Sequence, residues 1–218
     1  MGVWRQVGEL LVPRACAGCQ APGQVLCAAC REHLRTPPHR VTRRTLLDPP
    51  IFALGPYSEI RRNLIIQMKE YHNQAVRPYA GAVIAAGLEQ LVAQGVLPPR
   101  LVVVPAPTRA SSARARGGDP VLHMCQHAAR LLGDGLPLTV VNCARLRRGV
   151  ADQSRLNADL RWANMRDAVA VDADPRLVGR ATVVVDDVVT TGATLINTAD
   201  KLRAAGALVR AGLVLADA

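Results

Sequence analysis

Apolar residues along this chain fall into short continuous runs that alternate with stretches of helical spacing. Ile60, Leu64, Ile65 and Met68 recur at three- and four-residue intervals after Ser58, the signature of one buried helix face. An alanine-rich stretch predicts a second helix over residues 77–94, stopped by Gly95. Residues 101–104 are a wholly apolar run that ends at Pro105, short enough for a strand buried on both faces. A helical pattern over 121–132 leads to a strand over 138–143, and residues 181–185 form another short apolar strand. A helix over 193–205 and a strand over 208–215 complete the alternation. Strands taken in turn with helices imply an α/β fold, a mainly parallel sheet with helices on both faces. No internal repeat is present.

The pattern starts only near residue 50. Before it, residues 36–50 carry four prolines and three arginines, a composition that argues against regular structure and for a linker. The chain therefore divides into 1–50, a small element with its linker, and 51–218, the α/β domain.

Composition narrows the picture. Half of the 218 residues are apolar, enough to bury a proper core. Glu89 splits the apolar run over 80–93, and Arg5, Glu9 and Arg14 interrupt the segment where a signal peptide would need apolar continuity. The expectation is a cytoplasmic protein with no membrane insertion.

The net charge of +10 rests on arginine, since Lys69 and Lys201 are the only lysines. Arginine forks match phosphate oxygens two at a time, which favours phosphorylated partners; solvation of the surface accounts for charge alone equally well. Trp4, Phe52, Tyr57, Tyr71, Tyr79 and Trp162 are the only aromatic residues, a poor supply for stacking single-stranded bases.

Four of six cysteines form one pattern, Cys16-x2-Cys19 then Cys27-x2-Cys30, with Gly18, Pro22 and Gly23 to turn the chain. Each pair can present two thiolates to one ion, so tetrahedral Zn2+ is the natural reading, against disulfides or a redox pair. A closed four-thiolate site leaves no open coordination position, which makes the metal structural. Cys125 and Cys143 read as small core residues.

The most informative segment is Val183-Val-Val-Asp-Asp-Val-Val-Thr-Thr-Gly-Ala-Thr-Leu195: strand, two carboxylates, a loop of hydroxyls and glycine, then a helix. In open parallel sheets ligands bind at the carboxyl ends of strands, where this segment falls. Thr190, Thr191 and Thr194 offer hydroxyls, Gly192 lets backbone come close, and free N–H groups of the new helix suit a phosphate monoester. Asp186 and Asp187 supply acceptors for two adjacent sugar hydroxyls, and one could ligate Mg2+. Strict strand alternation would send these neighbours to opposite faces, so both reach one ligand only where the chain leaves regular strand geometry. The bland reading is a strand-to-helix turn with Asp and Thr as caps, but capping needs one such residue and five polar ones surround this glycine.

These thirteen residues are similar to the phosphoribosyl-pyrophosphate (PRPP) signature of type I phosphoribosyltransferases, and the whole chain resembles the ComF family. The family pattern sets a four-cysteine zinc element first, then a helix ending in lysine, here Lys69. A V-P-x-P loop follows, here Val104-Pro105-Ala106-Pro107, then an Arg-Gly segment, here Arg116-Gly117, and a run matched by Gln153, Leu156, Arg161 and Asn164. The resemblance implies a type I phosphoribosyltransferase-like fold. It implies a pyrophosphate loop of Pro105, Ala106, Pro107, Thr108 and Arg109, and a mobile loop over 114–119. It implies PRPP held by Val188, Val189, Thr190, Thr191, Gly192, Ala193 and Thr194. Where the family continues Arg-Gly-Phe-Asn-Gln, this chain reads Arg116-Gly117-Gly118-Asp119-Pro120, which sets an acid near the expected phosphates.

As chemistry, the resemblance implies that Mg2+ chelates pyrophosphate, the bond to C1 of the ribose loosens, and a nucleophile captures a cationic sugar. Asp186, Asp187, Lys69, Arg109 and Arg116 would align the ligand and stabilise charge. A second reading is a binding module for single-stranded DNA that works with the competence machinery of natural transformation, the process with which the family is associated. A third is a PRPP sensor that transfers nothing.

Overall fold

The computed structural model describes residues 15–43, 46–108, 117–147 and 168–218. Five α-helices stand among them: α1 (Ala28–His33), α2 (Glu59–Lys69), α3 (Arg77–Ala93), α4 (Pro120–Leu132) and α5 (Ala193–Ala204). The strands are β1 (His39–Arg40), β2 (Ile51–Ala53), β3 (Leu101–Pro105), β4 (Leu138–Val140), β5 (Ala144–Leu146), β6 (Val169–Val171), β7 (Ala181–Val189) and β8 (Leu208–Asp217).

Six strands form one sheet in the order β1-β2-β8-β7-β3-β4, all parallel except β1, which runs against β2 at the edge. The central strands are valine-rich because helices cover both of their faces. On one side Val183, Val185, Leu101 and Val103 pack with Ile84 and Leu88 of α3 and Met124 and Cys125 of α4. On the other, Val184, Val102 and Val104 pack with Leu195, Ala199 and Leu202 of α5. Each fully buried side chain of this size contributes about 1.5–3 kcal/mol. Gly81 sets the distance between α3 and α4: a Cβ there would lie 2.5 Å from the Cβ of His127 and 2.9 Å from the carbonyl of Met124.

The cysteine element has its own small core. Cys16, Ala17, Leu26, Cys30 and Leu34 pack on Leu64 of α2 and Val76. Arg61, 1% exposed, donates from Nη2 to Thr36 Oγ1 at 2.9 Å, to the His33 carbonyl and to the Leu54 carbonyl, while Asn63 Nδ2 donates to the Gly18 carbonyl at 2.8 Å. The element is thereby fastened to α2.

The mainly parallel α/β arrangement follows the pattern of apolar runs, with differences at several boundaries. β7 continues past Val185 to Val189 because its backbone goes on pairing with β8, whatever the polarity of its side chains. β4 stops at Val140, and Ala144–Leu146 pairs instead with Val169–Val171 in a separate two-stranded ribbon. The segment read as linker contributes β1 to the sheet, and its Val41 and Leu47 are buried in the α5-side core. Proline and arginine density hid those two apolar contacts. Among the described residues no helix is long and apolar enough to cross a membrane.

Candidate functional site

The chain passes from β3 to β4 on one side of the sheet, whereas β7 lies on the other side of β3. Connections leaving the carboxyl ends of β3 and β7 therefore depart in opposite directions and open a crevice between them. Pro105 sits beside Val185 in the register of these two strands. The Ala106 amide donates to the Val185 carbonyl at 2.7 Å, and Pro105 and Pro107 have no N–H. Pro105, Ala106 and Pro107 are buried and Thr108 is half-buried, and the first three leave no free backbone donor at the end of β3.

At the end of β7 the chain turns through Thr190 and Thr191, both exposed, into α5. Gly192 is the N-cap, with φ +82°, in the left-handed region that a side chain disfavours. A Cβ there would also come within 3.2 Å of Ile51 Cδ1. The Ala193 amide donates to Thr191 Oγ1 at 3.3 Å. Among the described residues, the amides of Thr191, Gly192, Thr194 and Leu195 have no such partner, as expected for the first turn of a helix. Donors without acceptors and the positive end of the helix dipole together make an anion seat.

Asp186 and Asp187 lie just before this turn. Val183, Val185 and Val188 pack on the α3 and α4 side while Val184 and Val189 pack on the α5 side. The pairing of β7 with β8 nevertheless keeps one register from Val183 to Val189, and its one shift lies between Thr182 and Val183, away from the aspartates. The Asp186 Oδ1 accepts the Asp187 N–H at 2.8 Å. Withdrawal from water, then the neighbouring Asp187 carboxylate, push the Asp186 carboxyl well above the usual range, against a smaller opposing pull from Lys69. Lys69, the last residue of α2, pairs its Nζ with Asp187 Oδ2 at 2.6 Å. Asp187 is 2% exposed, so its half of the pair is shielded from water.

Two residues not anticipated from sequence hold the surroundings. Arg43 donates from Nε to the Thr190 carbonyl at 3.0 Å, from Nη2 to the Ala218 carbonyl at 3.1 Å, and pairs with Asp217 at the end of β8. It ties the turn to the last strand, and an arginine in an apparently irregular segment gives no sequence signal of that contact. Arg77, 2% exposed at the start of α3, donates to the Gly117 carbonyl at 3.3 Å and contacts His123 Nδ1. Asp119 caps α4 by accepting the amides of Val121 at 2.9 Å and Leu122 at 3.2 Å, with Pro120 in the first turn. The acid in Gly117-Gly118-Asp119-Pro120 thus starts a helix.

Cys16, Cys19, Cys27 and Cys30 converge, with all four Sγ atoms within 4.8 Å of one another and Cys19 and Cys27 at 3.7 Å. A tetrahedral zinc with sulfur ligands at about 2.3 Å needs sulfurs roughly 3.8 Å apart, so the cluster could hold zinc. Burial works against the Cys16 thiolate, but amides of Cys27, Cys19 and Gly18 more than offset it and bring the thiol down to about 6. Cys125 is buried in the core beside Met124, and burial pushes its thiol up. Arg109, Arg114, Arg116, Gln153, Leu156, Arg161 and Asn164 lie outside the described residues.

No family model matches the chain, and no curated protein matches its sequence. Among solved structures the chain is similar to adenine phosphoribosyltransferase from Saccharomyces cerevisiae complexed with D-2,5-dideoxy-2,5-imino-altritol 1,6-bisphosphate and adenine. The identity is 12% and the TM-score 0.39, over 88% of this chain and 90% of that one.

Proposed function

We propose that the crevice binds PRPP or a related ribose 5-phosphate ligand. The turn from Val188 to Thr194 takes the terminal phosphate on its amides and threonine hydroxyls. Asp186 and Asp187 accept the two ribose hydroxyls. The observation that carries this reading is the meeting, at one switch point, of open helix-start amides with a pair of adjacent carboxyls. A sugar that bears a phosphate and a vicinal diol presents the groups that such a set would take.

Mg2+, bound with the ligand, would neutralise pyrophosphate charge. Lys69, with Arg109 and Arg116, would align the pyrophosphate, and the two acids would stabilise positive charge growing on the ribose. The chemistry this suits is transfer of phosphoribose to an acceptor with release of pyrophosphate. A PRPP sensor would share every contact and differ only in turnover. The cysteine cluster would carry structural Zn2+, with residues 1–50 as zinc element and linker and 51–218 as the phosphoribosyltransferase-like domain. Under this reading the chain is a ComF-type cytoplasmic protein with a part in DNA uptake, which the order of its motifs supports.

Titration calorimetry with PRPP and Mg2+ tests the binding. The natural chain should show saturable binding that the double variant Asp186→Asn, Asp187→Asn loses by about tenfold or more, as expected when charge-assisted hydrogen bonds are removed. No heat from the natural chain, or equal binding by the variant, would remove the basis of the reading.

A further inference from the structure

The opposite end of the sheet carries a second concave surface. A cleft of about 430 Å³ opens at the amino ends of β3 and β7, lined by Arg100, Arg176, Arg180, Thr139 and Pro137. Arg100 immediately precedes β3 and Arg180 immediately precedes β7. Val102 stands beside Thr182 in the register, so the two arginines lie at the adjacent starts of paired strands and both line the cleft. Two guanidiniums side by side repel each other unless an anion lies between them.

Their backbones cannot readily part. The Arg180 amide donates to Leu177 at 3.0 Å, its carbonyl accepts from Leu208 at 2.9 Å and from Thr182 Oγ1 at 3.0 Å, and both strands run into the buried sheet. Arg176 is held as a fork by Asp174, with Nε at 2.9 Å from Oδ1 and Nη2 at 2.6 Å from Oδ2. Among the described residues no carboxylate pairs with Arg100 or Arg180. The cleft thus combines two uncompensated guanidiniums on fixed strand ends with a third on its wall and a threonine hydroxyl on β4.

We infer that this cleft is a binding site for a small phosphate-bearing anion, separate from the crevice at the carboxyl ends of the strands. Guanidinium forks match phosphate oxygens bidentately, and the volume falls in the range of small-molecule sites. A nucleic-acid strand is the less fitting occupant, since no aromatic side chain lines the cleft to stack a base.

Inorganic pyrophosphate is the probe, added without Mg2+ to the full-length 15N-labelled chain and followed amide by amide. Leu101, Thr139 and Arg180 should shift with saturation, and the Arg100→Ala, Arg180→Ala double variant should weaken that response by about tenfold or more. In the variant, any response of the amides of 190–195 should stay as in the natural chain, and an unchanged thermal midpoint shows that the fold is retained. Absence of saturable shifts at the three amides, or shifts that persist in the variant, would overturn the site. Tighter binding of a single-stranded oligonucleotide at the same amides, with affinity rising with strand length, would overturn its assignment to a small anion.

Discussion

Asp186 and Asp187 are neighbours in sequence whose carboxyls affect each other in space, and the proposed ligand rests on the pair. Asp186 takes up its proton more readily in the fold than in the unfolded chain, first through loss of water and then through Asp187. A carboxyl raised in this way contributes stability that is full below the ordinary aspartate range and is lost as pH rises through the raised value. Asp186→Asn removes that loss. The variant should melt higher than the natural chain at neutral pH, with the gap closing as pH falls towards 4, the ordinary aspartate range; thermal melts across pH check this. A constant gap would mean that the Asp186 carboxyl is not raised in the fold. Lys69 gives a second test. Lys69→Met leaves buried Asp187 without its ion pair and should cost about 1–3 kcal/mol, and adding Asp187→Asn should recover most of it in denaturant melts.

At the scale of elements, the cysteine unit packs on Leu64 and Val76 and is bonded to Arg61 and Asn63 of α2. Its core is too small to stand without a metal. The purified protein should contain zinc in one-to-one ratio. A strong chelator should raise hydrogen exchange over residues 16–34 while β3, β7 and β8 stay protected. Zinc-free protein with residues 16–34 fully protected would contradict the metal reading. The elements readable in sequence were those with long apolar signals: the valine runs of β3 and β7, the period of α2, and the strand-to-helix turn at Gly192. β1, β5 and β6 have two or three residues each and little burial, so no periodicity could reveal them. The acid of Asp119 reads from sequence as a misplaced charge beside a phosphate site, because the apolar period begins only at Val121 and a cap is recognised only once its helix start, Pro120, is fixed. Asp119→Ala should cost about 1 kcal/mol, measured by denaturant melts.

For the whole molecule, the parallel sheet gives two chemically different ends. The carboxyl ends of β3 and β7 gather the acids, Lys69 and the helix-start amides, while the amino ends of the same strands gather Arg100 and Arg180. Arg43 and Asp217 tie the segment before β2 to the turn after β7, so residues 39–43 help to hold the crevice from outside the α/β core. The proposed ligand requires above all that the turn after β7 seat a phosphate on its own backbone. Amide NMR of the natural chain titrated with PRPP and Mg2+ tests it directly. The largest shifts should fall on Thr191, Gly192, Thr194 and Leu195 and should saturate together. Shifts confined to other residues, or amides of the turn that stay unmoved at saturating ligand, would contradict it.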